Sequence, residues 1–441
     1  DSINLASGAT QSGFGRTGTV DWDTTPKTAT FSAVSGEGYF CNTTAGVITV
    51  NLPAGSAGAI VSLADYAGTW QTYNVTVAPN GTDKIGSQNS NATLNTEGQS
   101  VTFVYVDATQ GWINTMDSTS NVRGTPPFVA ATGGTITTVC TDYKIHTFTG
   151  PGTFTVTNAG TPAGSNTVDY FVLAGGGAGS NNGTIGGDGG GGGGAGGFRL
   201  SNSLGSPAPT TSPLANPAGL PVSVTGYPIT VGGGGAGKPN ACSGNYGPAG
   251  NDGNNSVFAG SSTITSTGGG GSGGTGGLGS PGGRAGGSGG GAHQSGGGTG
   301  NTPPVSPPQG NPGSTPNPAP AGSGGGGAGA AGVNGCGPSG GAGGAGSYVA
   351  PDFAGSNGST GPVSARYFAG GGGGSNSPNR APSGTRGAGG VGGGANGGGC
   401  GTANGSSALD NTGGGGGGAA NCTGASGAGG SGIVIIKYKF Q

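Results

Sequence analysis

Charged residues are scarce in this sequence. Its 441 residues include 13 Lys and Arg against 15 Asp and Glu, which gives a formal net charge of −2. Binding to the phosphates of nucleic acids needs clustered Lys and Arg, and an expanded, disordered chain usually carries a high net charge. The composition therefore argues against a nucleic-acid partner and against a chain that charge repulsion keeps disordered.

Long apolar runs and helical periodicity are missing as well. No apolar run approaches the roughly 20 residues that cross a bilayer, so we expect no membrane insertion. No stretch repeats its apolar residues at helical spacing. The sequence starts at Asp1 without an apolar leader, so we expect a processed chain or a piece of a longer polypeptide.

Groups that catalyse reactions or bind metals are few. The chain has two histidines, His146 and His293, and no two cysteines are spaced as C-x-x-C, so we predict neither a metal site nor a cofactor. Enzymes that cleave polysaccharides need two placed carboxylates. From residue 175 to residue 432 the acids are Asp188, Asp252, Asp352 and Asp410, without a Glu. We therefore expect that the protein is not an enzyme.

The six cysteines are Cys41, Cys140, Cys242, Cys336, Cys400 and Cys422. The last four lie in the glycine-rich part of the chain, where a disulfide would help most by constraining the unfolded state. Free thiols are the favoured interpretation, and disulfides stay open as the alternative.

Glycine dominates the composition, at 116 of the 441 positions. The tracts follow no strict Gly-X-Y period, which rejects collagen. Apolar strand-like segments bracket them, and Ala rather than Ser interrupts several, which argues against a flexible linker. We predict extended helices with three residues per turn (polyglycine II), packed side by side through backbone hydrogen bonds. The main tracts lie at 186–197, 232–237, 268–291, 324–332, 370–374, 387–399 and 413–418.

Residues 1–122 have a different composition, with Met116 and all three tryptophans. Turn signals such as Pro53-Ala-Gly and Pro79-Asn-Gly separate short segments that favour strands. Seven or eight short strands predict a β-sandwich module over 1–122, followed by a linker at 123–127. The segments lie at 29–34, 38–43, 47–52, 59–63, 73–77, 100–106 and 111–114.

A second set of strands is predicted after the linker. The final residues, 433–440, indicate one strong strand with Lys437 and Lys439 on a polar face. We expect it to pair beside 168–173, so that residues 128–174 and 433–440 form a β base for a polyglycine region at 175–432. The predicted fold class is all-β, with 128–441 as a glycine-rich tip domain. The other predicted strands lie at 135–139, 143–148, 152–157, 221–225, 228–231 and 262–265.

Several of these segments carry a family resemblance. Residues 18–122 resemble a module of marine bacteriophage fibre proteins (of the cyanophage and pelagiphage kind), and residues 128–441 resemble the glycine-rich C-terminal domain of that group. The first set of motifs is VDWDTTPK at 20–27, GYFCNTT at 38–44, ITVNLPAG at 48–55, SVTFVYVD at 100–107 and GWIN at 111–114. The second set is YKIHTFTGPGTF at 143–154, VDYFVLAGGG at 168–177, GYPITVGGGG at 226–235 and GGSGIVIIKY at 429–438.

The resemblance implies a phage tail-fibre or virion-fibre protein that is extracellular as part of the virion. It implies a homotrimer, contacts with other virion fibre proteins, and attachment to the host surface, through a polysaccharide or an outer-membrane protein. The composition also resembles adhesins at the tips of long tail fibres, which pack glycine rods as a sandwich. The glycine tracts alone are shared by many unrelated proteins, whereas the strand motifs are more specific.

A flat glycine surface offers no specificity, so we expect recognition in the loops that join the rods. Aromatic rings and Arg guanidinium groups are the side chains that contact sugars and protein loops. Internal packing of Tyr367 and Phe368 is the alternative that stays open. The candidate receptor-binding residues are Tyr246, Tyr348, Phe353, Arg366, Tyr367, Phe368, Arg380 and Arg386.

Two other functions stay open at this stage. The chain could be a purely structural fibre shaft or capsid decoration protein without a receptor. It could also be a bacterial extracellular filament or surface adhesin, since the missing leader does not distinguish the two origins.

Overall fold

The computed structural model describes residues 20–118, 127–181, 188–205, 212–240, 247–274, 282–293, 295–314, 320–377, 383–400, 402–421 and 423–441. In this part of the chain nearly all regular structure is β, with one short helix, so the all-β fold class is confirmed. No helix of these residues is long and apolar enough to span a membrane. The chain forms two compact units, Asp1–Gly124 and Thr125–Gln441.

The first unit contains two facing sheets. Sheet I has the strand order β1-β3-β5-β8-β9, and sheet II has the order β2-β4-β6-β7. The strands are β1 Asp21–Lys27, β2 Phe31–Ser32, β3 Glu37–Cys41, β4 Ile48–Asn51, β5 Ile60–Asp65, β6 Val75–Ala78, β7 Ala92–Leu94, β8 Ser100–Tyr105 and β9 Trp112–Ser118.

The chain alternates between the two sheets as it proceeds. Strands β1, β3 and β5 pair in parallel in sheet I, and β2, β4 and β6 pair in parallel in sheet II. Each pair of successive strands therefore adds one strand to each sheet. Strand β7 then pairs antiparallel with β6 in sheet II, and β8 pairs antiparallel with β5 in sheet I. Apolar side chains from both sheets, including the fully buried Trp70 and Trp112, fill the space between them. A single core between two sheets is the β-sandwich arrangement.

The second unit contains three sheets. Sheet III has the order β10-β13-β18-β19-β20, sheet IV has β11-β12-β24-β14-β15-β16 with β17 beside β14, and sheet V has β21-β23-β22. Their strands are β10 Val129–Thr132, β11 Thr135–Val139, β12 Tyr143–Phe148, β13 Gly152–Ala159, β14 Thr167–Leu173, β15 Phe198–Ser201, β16 Ala215–Asn216, β17 Leu220–Pro221, β18 Gly226–Thr230, β19 Ser256–Ala259, β20 Thr263–Ser266, β21 Ser347–Val349, β22 Ser359–Thr360, β23 Arg366–Phe368 and β24 Ile433–Lys439, and the helix is α1 Pro351–Ala354.

The terminal strand β24 lies in the middle of sheet IV. It pairs antiparallel with β14, from Asp169 opposite Lys437 to Leu173 opposite Ile433, which confirms the predicted pairing. One face of these strands packs against sheet III, and the other packs against aromatic residues of α1 and sheet V. Because both faces are covered, apolar residues occupy successive positions at 170–173 and 433–436.

The prediction that Lys437 lies on a polar face is wrong. Its side chain is 2% exposed, and its Nζ lies 2.6 Å from Oδ2 of Asp352 in α1. The ammonium also lies over the ring of Tyr143, 4.7 Å from the ring centroid. The second face of sheet IV is therefore closed by a buried ion pair and aromatic rings rather than by solvent.

The described parts of the glycine tracts form extended rods that are joined laterally by backbone hydrogen bonds. In the rod 174–180, successive N–H groups point to three neighbours in turn, and the fourth returns to the first neighbour. Gly175 and Ala178 donate to rod 250–255, Gly176 and Gly179 donate to rod 424–432, and Gly177 and Ser180 donate to rod 189–197. A repeat of three residues per turn without internal hydrogen bonds is the polyglycine II geometry.

The rod 189–197, called the central rod below, is enclosed on all sides. It donates to three rods, 267–273, 321–328 and 412–420, and it accepts from three others, 174–180, 286–293 and 369–377. A Cβ placed on Gly193 would lie 2.1 Å from the carbonyl oxygen of Gly177, and one on Gly192 would lie 2.1 Å from that of Gly372. The rods can approach this closely only because these positions are glycine.

Candidate functional site

The rod bundle has two different ends. At the base end, rods continue into strands of sheets III, IV and V, for example at Leu173, Phe198 and Phe368. At the opposite end, called the far end below, the chain reverses from rod to rod. The residues that flank these reversals are 181 and 188, 238 and 247, 274 and 282, 293 and 295, 314 and 320, 335 and 340, 377 and 383, 399 and 402, and 420 and 424.

The candidate residues from 348 to 368 lie at the base end, in an insertion formed by sheet V and α1. Phe353 is 2% exposed and Phe368 is fully buried. The ring of Phe368 lies 4.8 Å from that of Phe171 in sheet IV. These two aromatic side chains therefore belong to the core of the second unit and do not face solvent.

The remaining candidates in the insertion are also engaged. Arg366 donates from Nε to the carbonyl of Asn357 at 2.6 Å and from Nη2 to those of Ser356 and Gly358 at 2.5 Å each. The guanidinium therefore closes a local turn. Tyr367 is 8% exposed, and its ring lies 5.6 Å from that of the half-buried Tyr348.

An open groove of about 440 Å³ lies beside these residues. It is lined by residues 360–366 and by Pro351. Three N–H donors of Arg366 are used within the local turn, and Thr360 and Ser364 contribute hydroxyl groups to the lining of the groove. Of the insertion, Tyr348 keeps the most accessible aromatic ring among the candidates.

One candidate lies at the far end. Arg386 is exposed, and its aliphatic carbons lie 3.4–3.9 Å from a Cβ placed on Gly399. Tyr246 and Arg380 lie outside the described residues. Two other cationic side chains have partners: Nζ of Lys238 donates to Oδ1 of Asn251 at 2.7 Å, and Nε of Arg284 lies 2.9 Å from Oδ1 of Asp252. The exposed cationic side chain of Arg386 therefore lies close to a chain reversal at the far end.

The two histidines are buried and hydrogen-bonded. His146 contacts the carbonyl of Gly133 through Nδ1 at 2.7 Å and the hydroxyl of Tyr438 through Nε2 at 3.1 Å. Desolvation lowers the pKa of His146 below its ordinary 6.5. His293 is 1% exposed, with Nε2 3.1 Å from the carbonyl of Pro320 and 3.9 Å from Asp188. Both side chains connect segments of the fold.

Metal-binding clusters are absent from the described ranges, which bring together no group of three or more His, Cys, Asp and Glu residues. Cys41, Cys140 and Cys336 are free thiols, and burial raises the pKa of Cys41 to about 12. The side-chain amide of Asn376 donates to Sγ of Cys400 at 3.7 Å. Cys242 and Cys422 lie outside the described residues.

Comparison with protein families matches residues 148–439 to a family described as a glycine-rich domain. The chain belongs to this glycine-rich domain family. The matched residues start in β12 and end in β24, so they include the rods and most strands of the second unit. Among curated proteins, no sequence matches the chain.

Proposed function

We propose that this glycine-rich domain protein is the host-recognition part of a bacteriophage tail fibre or virion fibre, and that it binds without catalysis. The observation that carries the proposal is the division of the second unit into a rod bundle and a far end. The rods bond to each other through backbone groups, so they carry almost no side chains for recognition. Side chains for recognition are therefore expected beyond the rods, since binding residues are typically carried on loops that a rigid scaffold positions.

The proposal includes partners and location. A fibre of this kind is a homotrimer in the virion, outside the cell, and it contacts other virion fibre proteins. Its receptor is a surface polysaccharide or an outer-membrane protein of the host, since exposed Arg and aromatic groups suit both. The exposed Arg386 at the far end supplies one such group.

Binding of the purified full chain to a panel of marine bacterial cells tests the proposal. Labelled protein should bind one host and should compete with infection by the phage. Arg386→Ser should weaken binding about ten-fold or more, which corresponds to about 1.4 kcal/mol. Tyr348→Ser, at the base end, is the matched control and should leave binding unchanged.

The other outcomes separate the alternative functions. Loss of binding in Tyr348→Ser with normal binding in Arg386→Ser would move the receptor site to the base insertion. Absence of binding and of competition, with the chain present in purified virions by mass spectrometry, would indicate a structural shaft or capsid decoration protein. Presence on bacterial cells in the absence of phage would indicate a bacterial surface adhesin.

A further inference from the structure

The buried pair of Lys437 and Asp352 joins two distant parts of the second unit. Lys437 lies in β24, a central strand of sheet IV, and Asp352 lies in α1 of the insertion. Nζ of Lys437 is 2.6 Å from Oδ2 of Asp352. The two residues are 85 positions apart, and the chain between them includes the rods 369–377 and 412–420. A covalent link at this point would close a large loop of the bundle.

The amine of Lys437 is surrounded by apolar groups. Its side chain is 2% exposed, and the ring centroids of Tyr143 and Phe353 lie 4.7 and 5.8 Å from Nζ. Ile145, which pairs with Lys437 across the sheet, is also buried. Surroundings of this kind disfavour separated charges and favour a neutral amine beside a neutral acid. A neutral amine is a nucleophile, whereas an ammonium group is not.

A second carboxylate lies on the same face of the sheet. Asp169 in β14 is directly opposite Lys437, which places the two Cβ atoms about 4.5–5.5 Å apart. Asp169 is 1% exposed, and its Oδ1 accepts hydrogen bonds from Ser201 and Ser203. Its Oδ2 accepts from the N–H of Leu204, and a carboxylate oxygen has a second lone pair for another donor. A buried carboxylate beside an amine can take up a proton from it.

We propose that Nζ of Lys437 forms an amide bond with Cγ of Asp352, an isopeptide bond that links β24 to α1. The ion pair of the structure is the reactant, before this bond forms. The fold holds the amine and the carboxyl group in contact, so the entropy cost of bringing them together has already been met. Asp352 is 24% exposed, which gives the released water a path to solvent.

The reaction needs no other reagent. The ammonium proton of Lys437 passes to Oδ2 of Asp352 along their contact, which leaves a neutral amine and a neutral acid. The lone pair of Nζ attacks Cγ, and the electron pair of the Cγ=Oδ1 bond moves to Oδ1. Asp169 takes a proton from Nζ and passes it to the Oδ2 hydroxyl. The Cγ–Oδ2 bond then breaks, the Cγ=Oδ1 bond forms again, and water leaves with Asp169 ionised as before. No atom is oxidised or reduced.

Intact mass spectrometry of the purified full chain tests the proposal. The wild type should be lighter than its sequence mass by one water, and peptide mapping should find residues 352 and 437 in one branched peptide. Lys437→Arg keeps a cation beside Asp352 but lacks the amine, so it should keep the full mass. Lys439→Arg, in the same strand, is the matched control and should lose the water as the wild type does.

The rate of water loss after cell-free synthesis tests the part of Asp169. Asp169→Asn should form the bond about 100-fold or more slowly than the wild type, because an amide does not take up the proton. Thermal unfolding checks that each variant is folded. Bond formation at the wild-type rate in Asp169→Asn would exclude the proton transfer through Asp169.

Two outcomes would overturn the bond itself. A wild type with its full sequence mass would leave the ion pair as the whole of the contact between β24 and α1. Loss of water in Lys437→Arg as well as in the wild type would place the dehydration elsewhere in the chain. Neither outcome bears on receptor binding, which is tested separately through Arg386.

Discussion

Replacing Gly193 by Ala tests the packing of the rods directly. The φ angle of Gly193 is outside the left-handed region, so its backbone conformation alone would accept Ala. On that ground Gly193→Ala would stabilise the protein by about 0.4–1 kcal/mol, because Ala reduces the entropy of the unfolded chain. Packing predicts the opposite sign, because the added Cβ would lie 2.1 Å from the carbonyl oxygen of Gly177.

The size of the effect follows from the neighbouring rod. Ordinary contact begins at 3.4 Å, so rod 174–180 must move by about 1.3 Å. That movement breaks the bonds from Gly177 to Gly194 at 2.8 Å and from Ser180 to Gly191 at 3.1 Å. Two lost hydrogen bonds cost about 2 kcal/mol, and overpacking adds about 1–3 kcal/mol. After the unfolded-state gain is subtracted, we expect a net loss of about 2–4 kcal/mol.

Differential scanning calorimetry of the full chain measures this loss in the transition of the second unit. The transition should move down by about 4–8 °C. Gly296→Ala is the matched control, since a Cβ there has no atom within 4 Å and should leave the transition unchanged or slightly higher. A Gly193→Ala variant that is as stable as the wild type would refute the close packing of the rods.

Three further predictions concern side chains. Asp352→Asn should destabilise the second unit by about 3–5 kcal/mol in denaturant unfolding, because it leaves the buried Lys437 charge without its partner. A loss of stability under about 1 kcal/mol, which is typical of exposed ion pairs, would contradict this. Desolvation lowers the pKa of His146 in the folded protein, and the charge of Lys144 lowers it further. Protons therefore bind preferentially to the unfolded chain, so stability should fall as the pH drops below 6.5. His146→Gln should flatten this pH dependence of stability, and an unchanged slope would exclude His146 as its source. Iodoacetamide should modify the exposed Cys140 and Cys336 in the native protein but spare Cys41, whose pKa burial raises to about 12; peptide mass mapping checks this, and rapid labelling of Cys41 would contradict it.

Local patterns in the sequence were sufficient for the frame of the fold. Alternation and turn signals predicted most strands, and the segments 168–173 and 433–440 predicted a pairing that is confirmed. The strand β1 was missed because Asp21–Lys27 contains Pro26 and several polar residues, and its place depends on the parallel neighbour β3. The parallel alternation between sheets I and II involves pairing partners distant in sequence, which a local pattern does not contain.

The candidate site was less accessible from sequence. The segment 347–368 looks like a loop with aromatic residues, yet it folds over sheet IV and buries Phe353 and Phe368. The same segment also buries Lys437, so both the loop and the lysine were misread for one physical reason, a distant contact. The three-residue repeat of the rods has no side-chain signal, because glycine has no side chain. The glycine tracts alone therefore predicted rods of this kind, but the backbone hydrogen bonds are needed to show which rods are neighbours.

The position of the central rod has a consequence for synthesis. Residues 189–197 hydrogen-bond to the rod 412–420, which is synthesised more than 200 residues later, and β14 pairs with the still later strand β24. Contacts between such distant parts of a chain form slowly, because long loops must close first. The chain must therefore be synthesised at least as far as β24 before the bundle can close, and until then the glycine segments hydrogen-bond to water.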